Sequence, residues 1–399
     1  MSTTAKTHGM DGRLVEADWP PLTLDEVRLL LAKFQGCGEP IEILSVSPRP
    51  FSAASVVTTE SGRVFIKRHH RSVRDAEGLL EEHRFMNHLR AHGAPVPRVF
   101  AASSGETAIE NGEWTYEVHE VPEGVDIYED TLSWLPFHSA EHARSAGEML
   151  ARLHRASRGF DASRRKTQPL VASFTIFSAE DPRAEMESYL AARPALADDT
   201  VTREGCCKAL GLLAPFHAEL RPLLPELKPL WTHNDLHASN LLWSDASDAA
   251  RATAVIDFGL ADRTNAIYDL AQAIERNIVE WLALREGLED TDDVPVHLDH
   301  LKALLDGYES VRPLSEEEAT ALAPMTALCH AEFALTEADY FLSVLHSKEN
   351  ARVCSEVYLA GHARWFRGAG GRKLLDAIRR WAGRQAGRAQ GAALMGADD

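Results

Sequence analysis

The chain has 399 residues, with 42 basic and 60 acidic side chains and a formal net charge of −18 at pH 7. This acidic balance argues against general nucleic-acid binding, which requires a positive field. The length exceeds one usual hydrophobic core and favours two lobes or domains.

Membrane and secretory classes are also disfavoured. No apolar run approaches the roughly 18 residues of a membrane span, and the N-terminus lacks the apolar core of a signal peptide. The five cysteines are scattered without a C-x-x-C pair, which is typical of reduced thiols. We therefore expect a cytoplasmic protein, monomeric or homodimeric, that binds neither nucleic acid nor membrane.

The first half of the chain reads as a leader followed by a small α+β unit. Residues 1–40 form a polar leader with one predicted helix at 22–34, where apolar residues recur at helical spacing. Strands are predicted at 41–46, 55–59 and 63–67. A helix over 71–92 stops before Pro95 and Pro97, and another strand covers 114–121. The α+β unit thus spans 41–121.

After Pro122-Glu123-Gly124 the pattern becomes helical, and this second unit spans 122–388. Helices are predicted at 140–157, 182–192, 203–213 and 267–286, with two or three more between 296 and 365. An acidic run over 286–293 is either a solvated loop or a surface facing a cationic acceptor. A basic amphipathic helix at 372–388 is expected to dock on this unit, and the tail 389–399 is expected to be disordered.

The most informative segment runs from His233 to Asn240 and reads H-N-D-L-H-A-S-N. Two short apolar runs follow, at 241–243 and 252–256, separated by a polar turn. They predict a β-hairpin, and Asp257-Phe258-Gly259 comes directly after it. Because the first strand of a hairpin starts beside the end of the second, Asn240 and Asp257 should lie together, with Asp235 one loop away.

This arrangement suits phosphoryl transfer. The reaction needs an aligned hydroxyl, an acceptor for its proton and charge neutralisation on the phosphates. Asp235 would orient and deprotonate the hydroxyl, while Asn240 and Asp257 would supply oxygen ligands to Mg²⁺. His233 is expected to bond the backbone near Asp257. The absence of a Gly-Lys-Ser/Thr motif and of G-x-S-x-G excludes P-loop kinases and serine hydrolases of the elbow type.

At these residues the chain resembles the aminoglycoside phosphotransferase and choline kinase-like family, whose members commonly carry H-G-D-L-H-x-x-N; here Asn234 replaces the glycine. Asp269-Leu270-Ala271 is also similar to the family, in which the aspartate braces the catalytic loop. The resemblance covers residues 41 to 365. It implies a bilobal protein-kinase-like α+β fold, with a small β-rich N-lobe for nucleotide and a large, mostly helical C-lobe, and a cleft near Val121.

The resemblance also suggests how phosphates are held. Lys67 matches the family's phosphate-binding lysine. Glu82 is the candidate acid that orients it, with Glu77 and Glu81 as alternatives. The loop 48–54 would cover the phosphates without the glycines of protein kinases, and Ser52 is its candidate contact.

The remaining assignments concern adenine and the acceptor. Glu120 and Val121 match the strand whose backbone reads adenine in the family. The acceptor pocket is expected from Trp281 and the segments 330–345 and 358–365.

The resemblance implies an ATP-dependent kinase, with ATP and Mg²⁺ as cofactors, that phosphorylates a hydroxyl of an amino alcohol, amino acid, sugar or aminoglycoside-like molecule. The chain is most similar to the homoserine kinase-like and bacterial stress-kinase-like branches. Two alternatives remain open: a protein Ser/Thr kinase of the stress-linked type, and a nucleotide-binding pseudokinase scaffold. The complete catalytic set argues against a scaffold.

Overall fold

A computed structural model describes residues 6–10, 13–131, 133–166, 168–284 and 294–395. Its first part is built on a five-stranded antiparallel sheet of order β3-β4-β5-β7-β6. Helix α2 follows β5 in the chain, and a small N-terminal hairpin and helix α1 precede the sheet. The elements are β1 (Lys6–His8), β2 (Leu14–Glu16), α1 (Leu24–Leu31), β3 (Pro40–Val46), β4 (Ala53–Thr59), β5 (Gly62–His70), α2 (Ala76–Ala91), β6 (Ala108–Asn111) and β7 (Trp114–Glu120).

The strands predicted at 41–46, 55–59, 63–67 and 114–121 are confirmed within a few residues, while three features differ from expectation. The leader contains the β1–β2 hairpin as well as its helix. Strand β6 was missed, although Gly112 (φ 62°) marks the turn that joins it to β7. Helix α2 begins at Ala76 rather than at residue 71, because the Asp75 side chain caps it by accepting the Gly78 N–H at 2.8 Å.

The second part is mainly helical, with two short two-stranded antiparallel sheets inserted before α7. Its strands are β8 (Pro229–Thr232), β9 (Leu241–Trp243), β10 (Ala252–Val255) and β11 (Asp262–Asn265). Its helices are α3 (Ala140–Ala156), α4 (Pro182–Ala191), α5 (Pro194–Asp198), α6 (Thr200–Leu220), α7 (Ala266–Ile278), α8 (Leu298–Val311), α9 (Glu316–Leu328), α10 (His330–Asp339), α11 (Lys348–Val353), α12 (His362–Arg367) and α13 (Ala369–Met395). Two π-helical turns, Tyr340–Val344 and Cys354–Gly361, flank α11.

Several predicted helix ends are wrong. Helix α7 ends at Ile278 instead of residue 286, because Val279 becomes extended and pairs with Val296. Helix α6 is longer than predicted at both ends, and more helical segments lie between 296 and 365 than the two or three expected. The backbone of α13 stays helical to Met395, in contrast to the tail predicted from 389. The acidic run at 286–293 and residues 396–399 lie outside the described residues.

Two apolar cores organise the chain, one under the five-stranded sheet and one among the helices. In the helical core, α3 and α8 cross in near backbone contact at two glycines. A Cβ on Gly147 would lie 2.0 Å from the Leu304 carbonyl oxygen, and one on Gly307 would lie 2.1 Å from the Arg144 carbonyl oxygen. The expected docking of the 372–388 helix is confirmed by the burial of Leu374, Leu375, Ile378 and Trp381.

In the described part of the chain, no helix is long and apolar enough to cross a membrane.

Candidate active site

The predicted β9–β10 hairpin is present and brings two oxygen-bearing residues together. Leu241 pairs with Val255 at its open end. The backbone N–H of Ile256 donates to the Asn240 carbonyl at 3.0 Å. Asn240 and Asp257 therefore lie at the same end of the hairpin, as the sequence predicted.

Asp257 forms an ion pair with Lys67 of β5, with 2.9 Å between Nζ and Oδ1. Burial acts to lower the pKa of Lys67, but the Asp257 carboxylate outweighs it, so the pKa lies above its ordinary value. Burial likewise acts to raise the pKa of Asp257, yet Lys67 holds it well below its ordinary value. Both groups are therefore charged at neutral pH, and the Asp257 side chain remains partly exposed.

Asp235 lies in a loop that Asn240 closes: the Asn240 amide donates to the Asp235 backbone carbonyl at 2.9 Å. The Asp235 carboxylate lies 3.4 Å from Arg276 and 3.7 Å from His237. Burial acts to raise the pKa of Asp235, but His237 and Arg276 together lower it below its ordinary value. Because burial lowers the pKa of His237 itself, we assign most of this effect at neutral pH to the Arg276 cation.

The catalytic loop is held by Asp269, the first acidic residue of α7, as the resemblance implied. Its carboxylate accepts the backbone N–H groups of His233 (2.9 Å) and Asn234 (2.8 Å). His154 of α3 bonds the same carboxylate at 2.9 Å, and Tyr308 of α8 bonds the other ring nitrogen at 2.6 Å. The loop is thus anchored to three helices through one buried acid.

The His233 ring links the loop that contains Asp235 to the backbone next to Asp257. Its Nε2 lies 3.0 Å from the Ile256 carbonyl, and its Nδ1 accepts the Asp235 backbone N–H at 3.2 Å. Both ring nitrogens are therefore used, and the prediction that His233 bonds the backbone near Asp257 is confirmed.

The backbone and side-chain geometry of Asn234 explains why asparagine can stand where the family commonly has glycine. Its φ of 62° lies in the left-handed region, which glycine adopts freely and asparagine tolerates best among other residues. Its side-chain oxygen accepts the Thr232 hydroxyl at 2.7 Å, and its amide donates to the Leu260 carbonyl at 3.1 Å. Glycine could not form these two side-chain hydrogen bonds, so they favour asparagine at this position.

The predicted contact of Glu82 with Lys67 is corrected. Glu82 is buried, and its Oε1 accepts from Arg74 Nε at 3.0 Å and from Arg165 Nη2 at 2.6 Å. Both arginines also donate to the Gly259 carbonyl, at 2.6 and 3.0 Å. Two guanidinium groups satisfy this carboxylate, so Lys67 pairs with Asp257 instead. Glu82 thereby ties α2 to the segment after Asp257.

The alternatives to Glu82 are also engaged elsewhere. Glu77 pairs with Lys166 at 2.6 Å, and Glu81 lies 3.5 Å from one of the two arginines. The acid that the sequence analysis missed is Glu117, the cross-strand partner of Lys67 on β7. Its carboxylate is bonded by three histidine Nε2 atoms: His69 at 3.0 Å, His83 at 2.9 Å and His119 at 2.8 Å.

Comparison with known proteins places this chain in a family. The sequence matches the phosphotransferase enzyme family (APH) over residues 50–314. The chain belongs to this family. This phosphotransferase is 28% identical over 312 residues to a homoserine kinase of Phenylobacterium zucineum (strain HLK1). The alignment covers 77% of this chain and 82% of that relative. A homoserine kinase of Xanthobacter autotrophicus (strain ATCC BAA-1158 / Py2) is 29% identical over 262 residues, which cover 65% of this chain and 68% of that relative.

Solved structures agree on the fold. A microcompartment-associated aminopropanol kinase superposes with a TM-score of 0.55 at 16% identity, covering 90% of this chain and 100% of that chain. An amicoumacin kinase in complex with AMP-PNP and Ca²⁺ gives a TM-score of 0.54 at 14% identity. The superposition covers 85% of this chain and 91% of that chain. The predicted kinase-like mixture of sheet and helices is thus confirmed.

Ser52 lies in the loop between β3 and β4. The neighbouring Phe51 (φ 78°) packs against Tyr340, with 4.9 Å between ring centroids. Ser52 lines a small cavity together with Asp18 and Trp19 of the N-terminal segment. Its contact with phosphate stays a prediction.

The same loop contains a cation that the sequence analysis did not single out. Arg49 donates to the backbone carbonyls of Thr131 (2.7 Å) and Tyr128 (3.2 Å). Burial lowers the pKa of Arg49, and the charges of Asp126, Asp257 and Asp235 oppose this effect. The Arg49 charge therefore acts on both site aspartates.

Glu120 ends strand β7, and Val121 follows it. The Glu120 backbone N–H already donates to the Arg98 carbonyl at 2.9 Å, and its side chain lies 3.2 Å from Arg90. Recognition of adenine by the backbone of Glu120 and Val121 stays a prediction.

The segments expected to form the acceptor side do meet. Trp281 stacks on His362 with ring centroids 3.7 Å apart and contacts Trp365 edge-on at 4.9 Å. His362 Nδ1 lies 3.1 Å from Glu275 Oε1. These contacts place segment 358–365 beside the C-terminal half of α7, close to the Asp235 loop.

Two charged residues of this side were missed. Arg276 of α7 lies over the Phe333 ring at 3.6 Å while it faces Asp235. Glu337 of α10 is completely buried one turn after Phe333. The available signal was charge within the two helices themselves, Glu275-Arg276 in α7 and Glu337 in α10.

Replacing Asp269 by Asn should weaken both the fold and catalysis. An amide would offer one acceptor where the carboxylate serves three donors, so we expect a loss of about 3 kcal/mol in unfolding free energy. The loosened loop should lower kcat at least about tenfold, since small displacements of catalytic groups are costly. Chemical denaturation and steady-state kinetics measure both effects.

The control for this variant is Asp181→Asn, at the exposed N-cap of α4. Asparagine caps a helix about as well as aspartate, so this change should leave both the unfolding free energy and kcat nearly unchanged. Wild-type kcat in the Asp269 variant would show that the loop does not depend on this brace.

Proposed function

We propose that the protein transfers the γ-phosphoryl group of ATP to a hydroxyl of a small molecule, in a two-lobed arrangement with the site between the lobes. The observation that carries this proposal is the convergence of Asp235, Asn240, Asp257 and Lys67. The Asn240 amide bonds the Asp235 backbone at 2.9 Å, the Asn240 carbonyl accepts the N–H of the residue before Asp257 at 3.0 Å, and Lys67 pairs with Asp257 at 2.9 Å. The homoserine kinase relatives and the family match support a small acceptor with a hydroxyl group. We further propose a cytoplasmic monomer or homodimer.

Asp235 would position the acceptor. Its carboxylate is ionised at neutral pH because Arg276 faces it, so it can accept a hydrogen bond from the hydroxyl and then its proton. The loop that contains it is fixed by Asp269 and His233, which keeps the acceptor oxygen aligned with the phosphate.

Asn240 and Asp257 fit a hard divalent cation. The Asn240 amide nitrogen is used inside the loop, so its amide oxygen is the atom available to a metal, and Asp257 is ionised and partly exposed. These are the oxygen ligands that Mg²⁺ prefers. When bound, Mg²⁺ would neutralise charge on the phosphates.

The remaining groups would bind the nucleotide. Lys67 would exchange part of its contact with Asp257 for the α and β phosphates, and the loop with Ser52 would cover them. The Glu120 carbonyl and the Val121 backbone would bond adenine. Glu82 would act indirectly, by fixing the segment after Asp257.

A panel assay tests this proposal. Purified protein with ATP and Mg²⁺ is offered amino alcohols, amino acids, sugars and aminoglycosides, and ADP release and phosphorylated product are measured. We expect acceptor-dependent turnover with one class, and its loss when EDTA removes the divalent cation, because the cation offsets phosphate charge. Restoring Mg²⁺ in excess is the control.

Phosphate transfer to protein substrates, with none of the small molecules accepted, would instead favour the protein-kinase alternative. Tight nucleotide binding without any transfer would favour a scaffold.

A further inference from the structure

The histidines around Glu117 form a cluster that the catalytic proposal leaves unused. Glu117 and His119 lie two residues apart on one face of β7, and His83 reaches them from α2. All three side chains are buried. The Nε2 atoms of His83 and His119 lie 2.9 and 2.8 Å from the same oxygen, Oε2 of Glu117. Two imidazoles and a carboxylate from two elements thus converge on one point.

The spacing of these three ligand atoms suits a transition-metal ion. They all lie within 4.8 Å of one another. Zinc binds imidazole nitrogen and carboxylate oxygen at roughly 2.0–2.2 Å, so a tetrahedral site holds its ligand atoms about 3.3 Å apart. Each Nε2 atom would therefore have to move away from the carboxylate oxygen by only about half an ångström. Two imidazoles with one carboxylate favour zinc-like ions over Mg²⁺, which prefers oxygen ligands alone.

Two further side chains hold these groups in the orientation that a metal requires. Thr107 Oγ1 lies 2.8 Å from Nδ1 of His83, which leaves Nε2 directed at the cluster. His69 Nε2 lies 3.0 Å from Oε1, the second oxygen of Glu117. Hydrogen bonds of this kind fix the rings and carboxylates of metal ligands. Burial acts to raise the pKa of Glu117, but His119 and the other two histidines hold it well below its ordinary value.

The surroundings also permit a bound cation. Lys67 is the cross-strand neighbour of Glu117, but Asp257 pairs with Lys67 at 2.9 Å and compensates its charge. The side chains of His83 and Glu117 are 2% and 4% exposed, whereas that of His119 keeps 11%. An ion would therefore enter past His119 or be bound as the chain folds.

We propose that Glu117, His83 and His119 form a binding site for a divalent transition-metal ion of the zinc type, separate from the site proposed for Mg²⁺. His69 and Thr107 orient the ligands, and water completes the coordination. The ligands come from separate elements and do not form a local sequence motif.

Such an ion would stabilise the junction between the sheet and α2. His83 follows Glu82 on α2, and Glu82 already ties that helix to the segment after Asp257 through two arginines. The ion would add a second tie, from α2 to β7, beside the strand that carries Lys67. An ion that binds only the folded state raises its stability with the logarithm of the ion concentration, which gives a readout independent of turnover.

A second histidine cluster provides a matched control. His297, Asp299 and His300 also present ligand atoms within 4.8 Å of one another. The side chains of His297 and Asp299 are, however, 33% and 75% exposed, and His297 Nε2 lies 2.8 Å from Glu280 Oε1. These ligands are hydrated and less fixed, so we expect this cluster to bind metal more weakly.

The test is a calorimetric titration of the full chain with Zn²⁺, after removal of bound metal by a chelator. Excess Mg²⁺ is present and nucleotide is left out, so that phosphates cannot hold zinc. We expect one tight equivalent in the wild type and in His297→Gln, and its loss in His83→Gln and His119→Gln. Thr107→Val keeps all three ligands and should weaken the affinity by about tenfold to a hundredfold. Circular dichroism verifies that each variant is folded.

Co²⁺ gives a second readout, because it reports the geometry of its ligands. Tetrahedral Co²⁺ with nitrogen ligands absorbs visible light more strongly than octahedral Co²⁺ with oxygen ligands. We expect this absorption in the wild type and in His297→Gln, its displacement by Zn²⁺, and its absence from His119→Gln. Zn²⁺ should also raise the midpoint of thermal unfolding of the wild type but not that of His119→Gln.

Lack of tight Zn²⁺ binding by the wild type would overturn the inference, and the histidines would then serve only as hydrogen-bond donors to Glu117. Tight binding that persists in His83→Gln and His119→Gln, unchanged affinity in Thr107→Val, or loss of the tight site in His297→Gln would overturn it as well. None of these results bears on phosphotransfer, which the acceptor panel tests separately.

Discussion

Replacing Asp235 by Asn should lower kcat by about 10²- to 10⁴-fold, the range for loss of a positioned acid or base. Asparagine has nearly the same shape, and the Asn240 amide would still bond the backbone carbonyl of residue 235. What disappears is the negative charge that attracts the hydroxyl proton. Product formation at saturating ATP measures the loss.

Nucleotide binding separates this chemical effect from misfolding. Lys67 and Asp257 do not contact Asp235 directly in the ion pairs described above, so ATP affinity, measured by titration with Mg²⁺ present, should stay nearly unchanged. Asp248→Asn, in the exposed turn of the β9–β10 hairpin, is the control and should behave as wild type. A variant at 235 with more than about a tenth of wild-type kcat would contradict its role as the proton acceptor.

Replacing Gly147 by Ala should produce the largest loss of stability. The new methyl group would lie 2.0 Å from the Leu304 carbonyl oxygen, and that neighbour is backbone, which cannot rotate away. Helices α3 and α8 would have to separate, so we expect at least about 3 kcal/mol less unfolding free energy. Chemical denaturation measures it.

Gly211→Ala is the matched control, because it lies inside α6 with open space around its Cβ position. Alanine there should stabilise the helix by up to about 1 kcal/mol. If Gly147→Ala were as stable as wild type, the close crossing of α3 and α8 would be wrong. Any folded fraction should also turn over slowly, since α3 supplies the His154 that bonds Asp269.

The catalytic loop and hairpin were predictable because their geometry is local. The spacing from His233 to Asn240, followed by two short apolar runs, determines which residues share one end of the hairpin. Pairing of Leu241 with Val255 agrees with that reasoning. Most strands of the five-stranded sheet were predictable for the same reason, since alternation and turn residues lie within a few positions of each other.

Contacts between distant segments were not predictable. Glu82 could be placed on α2, but nothing in the sequence shows that Arg74 and Arg165, one of them 83 residues away, would bond it. Arg276 and Glu337 were overlooked because no local motif marks either residue, and their neighbours come from distant segments. The end of α7 depended on the pairing of Val279 with Val296, which helical periodicity does not reveal.

The buried network of Glu82, Arg74 and Arg165 has a consequence for the mobility of α2. A movement of α2 away from the segment after Asp257 would have to break this network. Here both arginines hold the Gly259 carbonyl at 2.6 and 3.0 Å while they bond Glu82, so that movement would strand three buried charges. We therefore expect α2 and the segment after Asp257 to stay assembled whether or not a ligand is bound.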